Sequence, residues 1–265
     1  MSKKLYFGTN LKMYKNIAQT TSYLRSLEAC TQDLNRDEME LFVIPSFTSL
    51  SSAVSCVDPA YITLGAQNMC WEEEGQYTGE ISPLMIQEMG LKMVMIGHAE
   101  RRYQFGENDI IANKKVKCAA EHQLTALLCV GETEEERNFG ISDEMIRMQV
   151  KVGLHGIEEK QLEHIWISYD PAWAIGASGT PASSDYAEAR IKNIKKCLAE
   201  MFGDAAEEIP VLYGGGVSAQ IANDLILQPS IDGLFIGRSA WDEEDFSKII
   251  HNAKSAYDNR FDTGL

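Results

Sequence analysis

The sequence predicts an α/β protein of eight successive βα units in one domain. Three observations support this. Eight short runs rich in β-forming residues recur along the chain, helix-patterned segments lie between them, and each run is apolar almost throughout rather than alternating. Continuous apolarity marks a strand buried on both faces, as in a parallel sheet covered by helices. A closed barrel and an open doubly wound sheet both satisfy that pattern.

The runs are Leu5 to Asn10, Leu41 to Pro45, Ile62 to Ala66, Met93 to Gly97, Thr125 to Val130, Ile165 to Tyr169, Val211 to Gly214 and Gly233 to Gly237. Helical periodicity is clearest over Ser82 to Gly90, Ile110 to His122 and Ser184 to Phe202. The acidic run Glu134 to Glu136 reads as a solvated first helical turn, where carboxylates complement the helix dipole. No Pro/Gly/Ser-rich linker divides the 265 residues, so one domain over 1–265 is expected.

Composition narrows the function. Hydrophobic residues make up 45% of the chain and charged residues 24%, enough apolar material for a sizeable core. The formal charge of −15 argues against nucleic acid or an anionic membrane as partner, because phosphate backbones require clustered Lys and Arg. An anionic substrate would need a local positive site. Six cysteines are scattered without ligand spacing and read as reduced core thiols. With no signal-like or membrane-spanning apolar run, the expected compartment is the cytoplasm.

Parallel barrels build their chemistry at the carboxyl ends of the strands. Here those ends are polar: Asn10-Leu11-Lys12 after the first run, Gln67-Asn68 after the third, His98 and Glu100 after the fourth, and Asp170 after the sixth. One such histidine or aspartate is more often a cap or a satisfied buried group, but convergence from several strands favours a site. The last two runs end in glycine turns, Tyr213-Gly214-Gly215-Gly216 and Gly237-Arg238-Ser239-Ala240. Glycines admit a phosphate close to backbone N–H groups, and a short helix after the last strand would add its positive end.

Several motifs in order resemble the triosephosphate isomerase family over essentially the whole chain. They are Gly8-Thr9-Asn10-Leu11-Lys12-Met13, Gly65-Ala66-Gln67-Asn68, Tyr77-Thr78-Gly79-Glu80, Ile96-Gly97-His98-Ala99-Glu100-Arg101-Arg102, Cys129-Val130-Gly131-Glu132, Tyr169-Asp170-Pro171-Ala172-Trp173-Ala174-Ile175-Gly176 and Tyr213-Gly214-Gly215. The resemblance implies a closed (β/α)8 TIM barrel and a cofactor-independent isomerase of a small phosphorylated sugar. In that family a carboxylate base, a neutral histidine and a closing loop carry the chemistry, and the resemblance implies the same roles here. By resemblance, Asp170 is the base and His98 polarises the carbonyl and relays protons. Lys12 balances anionic charge with Asn10 beside it, and Glu100 belongs to the same network. Gly176, Gly216, Gly237 and Arg238 fall at the phosphate, while Trp173 and Tyr213 belong to the lid and its latch. A homodimer through the loop 67–80 is also implied, with Thr78 as the docking residue.

The departures from the family carry their own expectation. Asp170 stands where the family has glutamate, which withdraws the carboxylate by about 1.5 Å, one carbon–carbon bond. Gly216 replaces the usual serine, and Pro181 removes an N–H, so both sides of the latch change together. Leu11, Tyr14 and Ala99 depart as well, in place of tryptophan, asparagine and serine. The combination resembles a branch acting on four-carbon ketose phosphates. Alternatives are the triose phosphate itself and a barrel that only binds phosphate.

Overall fold

The computed structural model describes residues 3–175 and 179–262. Eight parallel strands close into a barrel in sequence order: β1 (Leu5–Asn10), β2 (Met39–Ile44), β3 (Thr63–Ala66), β4 (Met93–Ile96), β5 (Thr125–Val130), β6 (Ile165–Tyr169), β7 (Val211–Tyr213) and β8 (Gly233–Ile236). The last strand pairs with the first, Tyr6 opposite Gly233 through Thr9 opposite Ile236. Closure therefore decides the question the apolar runs left open.

Helices α1 (Ile17–Cys30), α2 (Phe47–Val54), α3 (Pro83–Glu88), α4 (Ala99–Phe105), α5 (Asp109–Glu121), α6 (Glu134–Asn138), α7 (Ser142–Gly153), α8 (Ser184–Phe202), α9 (Ala222–Ile226) and α10 (Glu243–Asp262) surround it. Their ends are locally encoded. Asn16 and Gln19 form a capping box at α1, and Thr133 with Glu136 forms another at α6, whose first turn holds the acidic run. Gly106, at φ 69°, ends α4 in the left-handed region open to glycine. No helix among the described residues is long and apolar enough to cross a membrane.

Two apolar zones follow from the strand alternation. Outward-facing residues such as Phe7, Leu41, Val43, Ile96, Leu128 and Ile167 pack against the helices. Inward-facing residues fill the barrel itself: Phe42, Ile44, Met93, Met95, Leu127, Cys129, Leu212 and Phe235, with Tyr6 and Trp166 at the margin. The barrel is thus a packed core rather than a pore, and its polar chemistry is confined to the rim. Of the six cysteines, Cys70, Cys118, Cys129 and Cys197 are buried, but Cys30 is exposed and Cys56 half-buried, so the core-thiol expectation holds for four.

Candidate active site

At the carboxyl rim, a cleft of about 240 Å³ is lined by Asn10, Lys12, His98 and Asp170 on one side and by Gly214 to Ser218 and Gly237 to Ser239 on the other. Residues more than 200 positions apart in sequence meet here because closure brings β8 beside β1. Glu100 stands just behind the cleft and reaches it through Lys12.

Asn10 ends β1 and organises the first loop. Its Oδ1 accepts the Lys12 N–H at 2.7 Å and the Gln67 amide at 3.1 Å, and its backbone carbonyl accepts the Trp241 indole N–H at 3.0 Å. Gln67 also donates to the Lys12 carbonyl at 2.7 Å. These bonds hold Lys12 at φ 51°, a region unfavourable for a side chain. The Lys12 ammonium extends to Glu100, with Nζ to Oε1 at 2.6 Å.

His98 is the N-cap of α4 and is almost fully buried. Its Nδ1 accepts the Glu100 backbone N–H at 3.2 Å. Since a backbone amide only donates, Nδ1 carries a lone pair and the ring proton sits on Nε2. Burial pushes the imidazole below its usual range, and the Lys12 cation adds to this, while the Asp170 and Glu100 carboxylates oppose it. A neutral imidazole in this setting can donate Nε2–H to a carbonyl oxygen.

Asp170 follows β6 and is buried, with its backbone N–H bonded to the Val130 carbonyl at 2.7 Å. Ser168 Oγ donates to its Oδ1 at 2.5 Å. Oδ2 is buried without a hydrogen-bond partner. Gly214, directly after β7, is required by this approach, because a Cβ there would overlap Oδ1 and lie 2.6 Å from Ser168 Oγ. A carboxylate with one oxygen unpartnered, lining a small cleft together with a neutral imidazole and a cation, is suited to moving protons within a bound anion.

A sequence profile of the triosephosphate isomerase family matches residues 5–253. The chain belongs to that family. L-erythrulose-1-phosphate isomerase of Rhizobium etli is 42% identical over 256 residues, 96% of this chain and 94% of the relative. Triosephosphate isomerase of Clostridium novyi is 40% identical over 250 residues, 94% of this chain and 98% of the relative. L-erythrulose-1-phosphate isomerase of Rhizobium meliloti is 40% identical over 258 residues, 97% and 100% respectively. The protein is a sugar-phosphate isomerase of the triosephosphate isomerase family.

Of the phosphate-side residues expected from the family motifs, Gly216, Gly237 and Arg238 line the cleft, whereas Gly176 lies outside the described residues. Arg238 is exposed and opens a three-residue 3₁₀ turn, Arg238–Ala240. That turn is too short to supply the helix dipole expected after β8, so positive charge here comes from Arg238 and Lys12. Gly216 faces the other latch position directly, a Cβ on it falling 3.3 Å from Pro181 Cγ and 3.2 Å from the Ala174 carbonyl.

Trp173 and Tyr213 do not line the cleft. The Trp173 indole donates to Glu132 Oε1 at 2.9 Å, and the Arg137 guanidinium lies 3.9 Å over its ring. The Tyr213 hydroxyl is buried toward the Ala182 amide without a well-formed hydrogen bond, and burial raises its pKa. Glu132 and Gln67 lie within the sequence motifs, which assign them no catalytic role, and Trp241 lies outside those motifs. Ser168 was findable, as the one small hydroxyl in the run Ile165 to Tyr169, placed on the face of Asp170 by the two-residue strand period.

Proposed function

We propose that this isomerase interconverts L-erythrulose 1-phosphate and D-erythrulose 4-phosphate through an enediolate. In this reading Asp170 Oδ2 takes the proton from C3 while His98 Nε2–H donates to the C2 carbonyl oxygen. The proton returned to C2, with relay of the hydroxyl proton through His98, moves the carbonyl to C3. Lys12 and Asn10 stabilise the developing anion, Glu100 holds Lys12 in place, and Gly176, Gly216, Gly237 and Arg238 receive the phosphate. Trp173 belongs to the lid and Tyr213 to its latch. Only protons move and no electrons leave the substrate, so the scheme requires no cofactor.

The observation that carries this reading is a short carboxylate that lines the same cleft as a neutral imidazole and keeps one oxygen, Oδ2, without a hydrogen-bond partner. A tetrulose phosphate bears a hydroxymethyl group in place of one of the two hydrogens on the hydroxyl-bearing carbon that the triose ketone deprotonates. A base withdrawn by about 1.5 Å leaves space for that group. The same shortening handicaps an unchanged triose, since a misplacement of about 1 Å costs on the order of 100-fold in rate. The relative named triosephosphate isomerase at 40% identity keeps glyceraldehyde 3-phosphate as the second candidate. Purified protein assayed on both sugars separates them, and equal or faster turnover of the triose refutes the tetrulose assignment. Loss of both activities in Asp170→Asn is expected, and its full retention would remove Asp170 as base.

The rim also supports a homodimer. Met13 (95% exposed), Tyr77, Met85 and Phe105 present apolar surface on segments following β1, β3 and β4, and Thr78 is exposed on the loop 67–80. The base of that loop is tied to the site by Gln67, so a second copy docking on it would steady Lys12. Sedimentation at micromolar concentration tests this, with a monomer as the refuting result.

A further inference from the structure

We propose that Ser168 is the positioning residue of the base: its hydroxyl anchors Asp170 Oδ1 and thereby dedicates Oδ2 to the substrate carbon. The inference rests on Asp170 being the base. The strand period places Trp166, Ser168 and Asp170 on the inner face of the barrel, and the side chain of Ser168 is fully buried there. Across the ladder, Ser168 pairs with Cys129 on β5 and Leu212 on β7.

Three features single out the Ser168 to Asp170 contact. The bond is short, 2.5 Å, at the strong end of the range for a hydroxyl donating to a carboxyl oxygen. The other carboxylate oxygen is buried and unpaired, so the two oxygens are chemically distinct before substrate arrives. The surroundings are shaped to the pair: Gly214 leaves the space both atoms occupy, and the Cys129 thiol lies against the same carboxylate, its pKa pushed well up by burial and by Asp170. With Ser168 holding Oδ1 and the thiol beside the group, Oδ2 is the carboxylate oxygen left without a partner, on a side chain that lines the cleft.

An aspartate has two side-chain torsions where a glutamate has three. With Oδ1 held, rotation about the remaining torsion is blocked and Oδ2 stays at a fixed height above β6. The short base thus obtains from its own strand the orientation that a longer side chain would need other contacts to acquire. Without the hydroxyl, the carboxylate turns toward its neighbours and the proton-accepting oxygen is displaced by a sizeable fraction of an ångström.

The test compares Ser168→Ala and Ser168→Thr with the parent enzyme, using whichever of L-erythrulose 1-phosphate and glyceraldehyde 3-phosphate the parent turns over faster. Ser168→Ala is expected to lower kcat about 10- to 100-fold, the scale of a displacement up to 1 Å, with KM changed less than about twofold. Ser168→Thr keeps the hydroxyl and is expected to stay within about fivefold of the parent. The proposal is overturned if Ser168→Ala keeps kcat within about threefold, or if folded Ser168→Thr loses as much as Ser168→Ala. Asp170→Asn keeps the two failures apart: it should lose on the order of 1,000-fold as the base variant. A fast Asp170→Asn enzyme would discredit Asp170 itself, whereas a slow one beside an unimpaired Ser168→Ala would discredit only the role of Ser168.

Discussion

Glu132→Ala should destabilise the protein and loosen the segment that follows Asp170. The Glu132 side chain is fully buried beyond β5 and gathers three donors that sequence separates widely. Tyr169 Oη reaches both of its oxygens at 3.1 Å, while Trp173 Nε1 and Tyr186 Oη each reach Oε1 at 2.9 Å. Tyr169 is itself completely buried, and its phenol is pushed far above its usual pKa by burial and by Glu132, so it remains a protonated donor. Removing the carboxylate strands that hydroxyl at a cost of about 1–3 kcal/mol, and the half-buried Trp173 and Tyr186 recover only part of their loss from water. Including the vacated volume, the total is about 3–5 kcal/mol. At roughly 2–4 °C per kcal/mol for a domain of this size, Tm should fall by about 10 °C. Glu132→Gln retains an acceptor without the charge and should fall about half as far. Thermal melts followed by circular dichroism, run beside kcat and KM, provide the measurement. A loss of less than about 2 °C in Glu132→Ala would show that the network contributes little and that Trp173 is held by the stacked Arg137 instead.

Three further outcomes follow from the site. Gly214→Ala places a methyl group on Asp170 Oδ1 and beside Ser168 Oγ, so kcat should fall on the order of 100-fold, and overpacking at about 1–3 kcal/mol should lower Tm by several degrees as well; unchanged kcat would mean the carboxylate tolerates displacement. His98 has its pKa lowered from the ordinary value of 6.5, so between that value and its lower folded value the unfolded chain binds more protons, and its contribution to stability is lost as pH falls through this window. Nitrogen-15 spectra of the ring should accordingly show a neutral Nε2–H tautomer at pH 6.5, and a half-titrated ring there would refute the cap geometry. Asp170→Glu advances the carboxylate by about 1.5 Å and should shift the tetrulose-to-triose ratio of kcat/KM toward the triose by on the order of 100-fold; a ratio moving the other way would separate base length from substrate choice.

How much of this was legible depended on whether the cause was local. β1, β5 and β6 have the bounds that the apolar runs predict, because each run is stopped by a polar residue or a glycine: Asn10 closes β1, Gly131 follows β5 and Asp170 follows β6. β2 begins earlier than its apolar run, at Met39, since its first turn of ladder includes Glu40, a residue stabilised by Lys4 and Thr63 rather than by burial. Strand-end polarity brought Asn10, His98 and Asp170 to notice because a parallel barrel collects every carboxyl end at one rim. Their supporting contacts exist only after closure: Gln67 is 57 residues from Asn10, and Tyr186 is 54 from Glu132.

Lys12 shows why such support cannot be read from residue types. A lysine at φ 51° costs on the order of 1–3 kcal/mol, and nothing in Asn10-Leu11-Lys12 signals a left-handed turn as a glycine would. The strain persists because Asn10 Oδ1 takes the Lys12 amide, Gln67 takes its carbonyl, and Glu100 takes its ammonium, each from a different part of the rim. Each of these bonds contributes about 0.5–3 kcal/mol, enough together to offset the backbone cost. The conformation is therefore a property of the assembled barrel, and it presents the ammonium to the cleft before any substrate binds. Preorganisation of that kind stabilises developing charge without reorganisation during the reaction. A cation placed by three strands rather than by its own backbone preference is the feature that the sequence could name but not position.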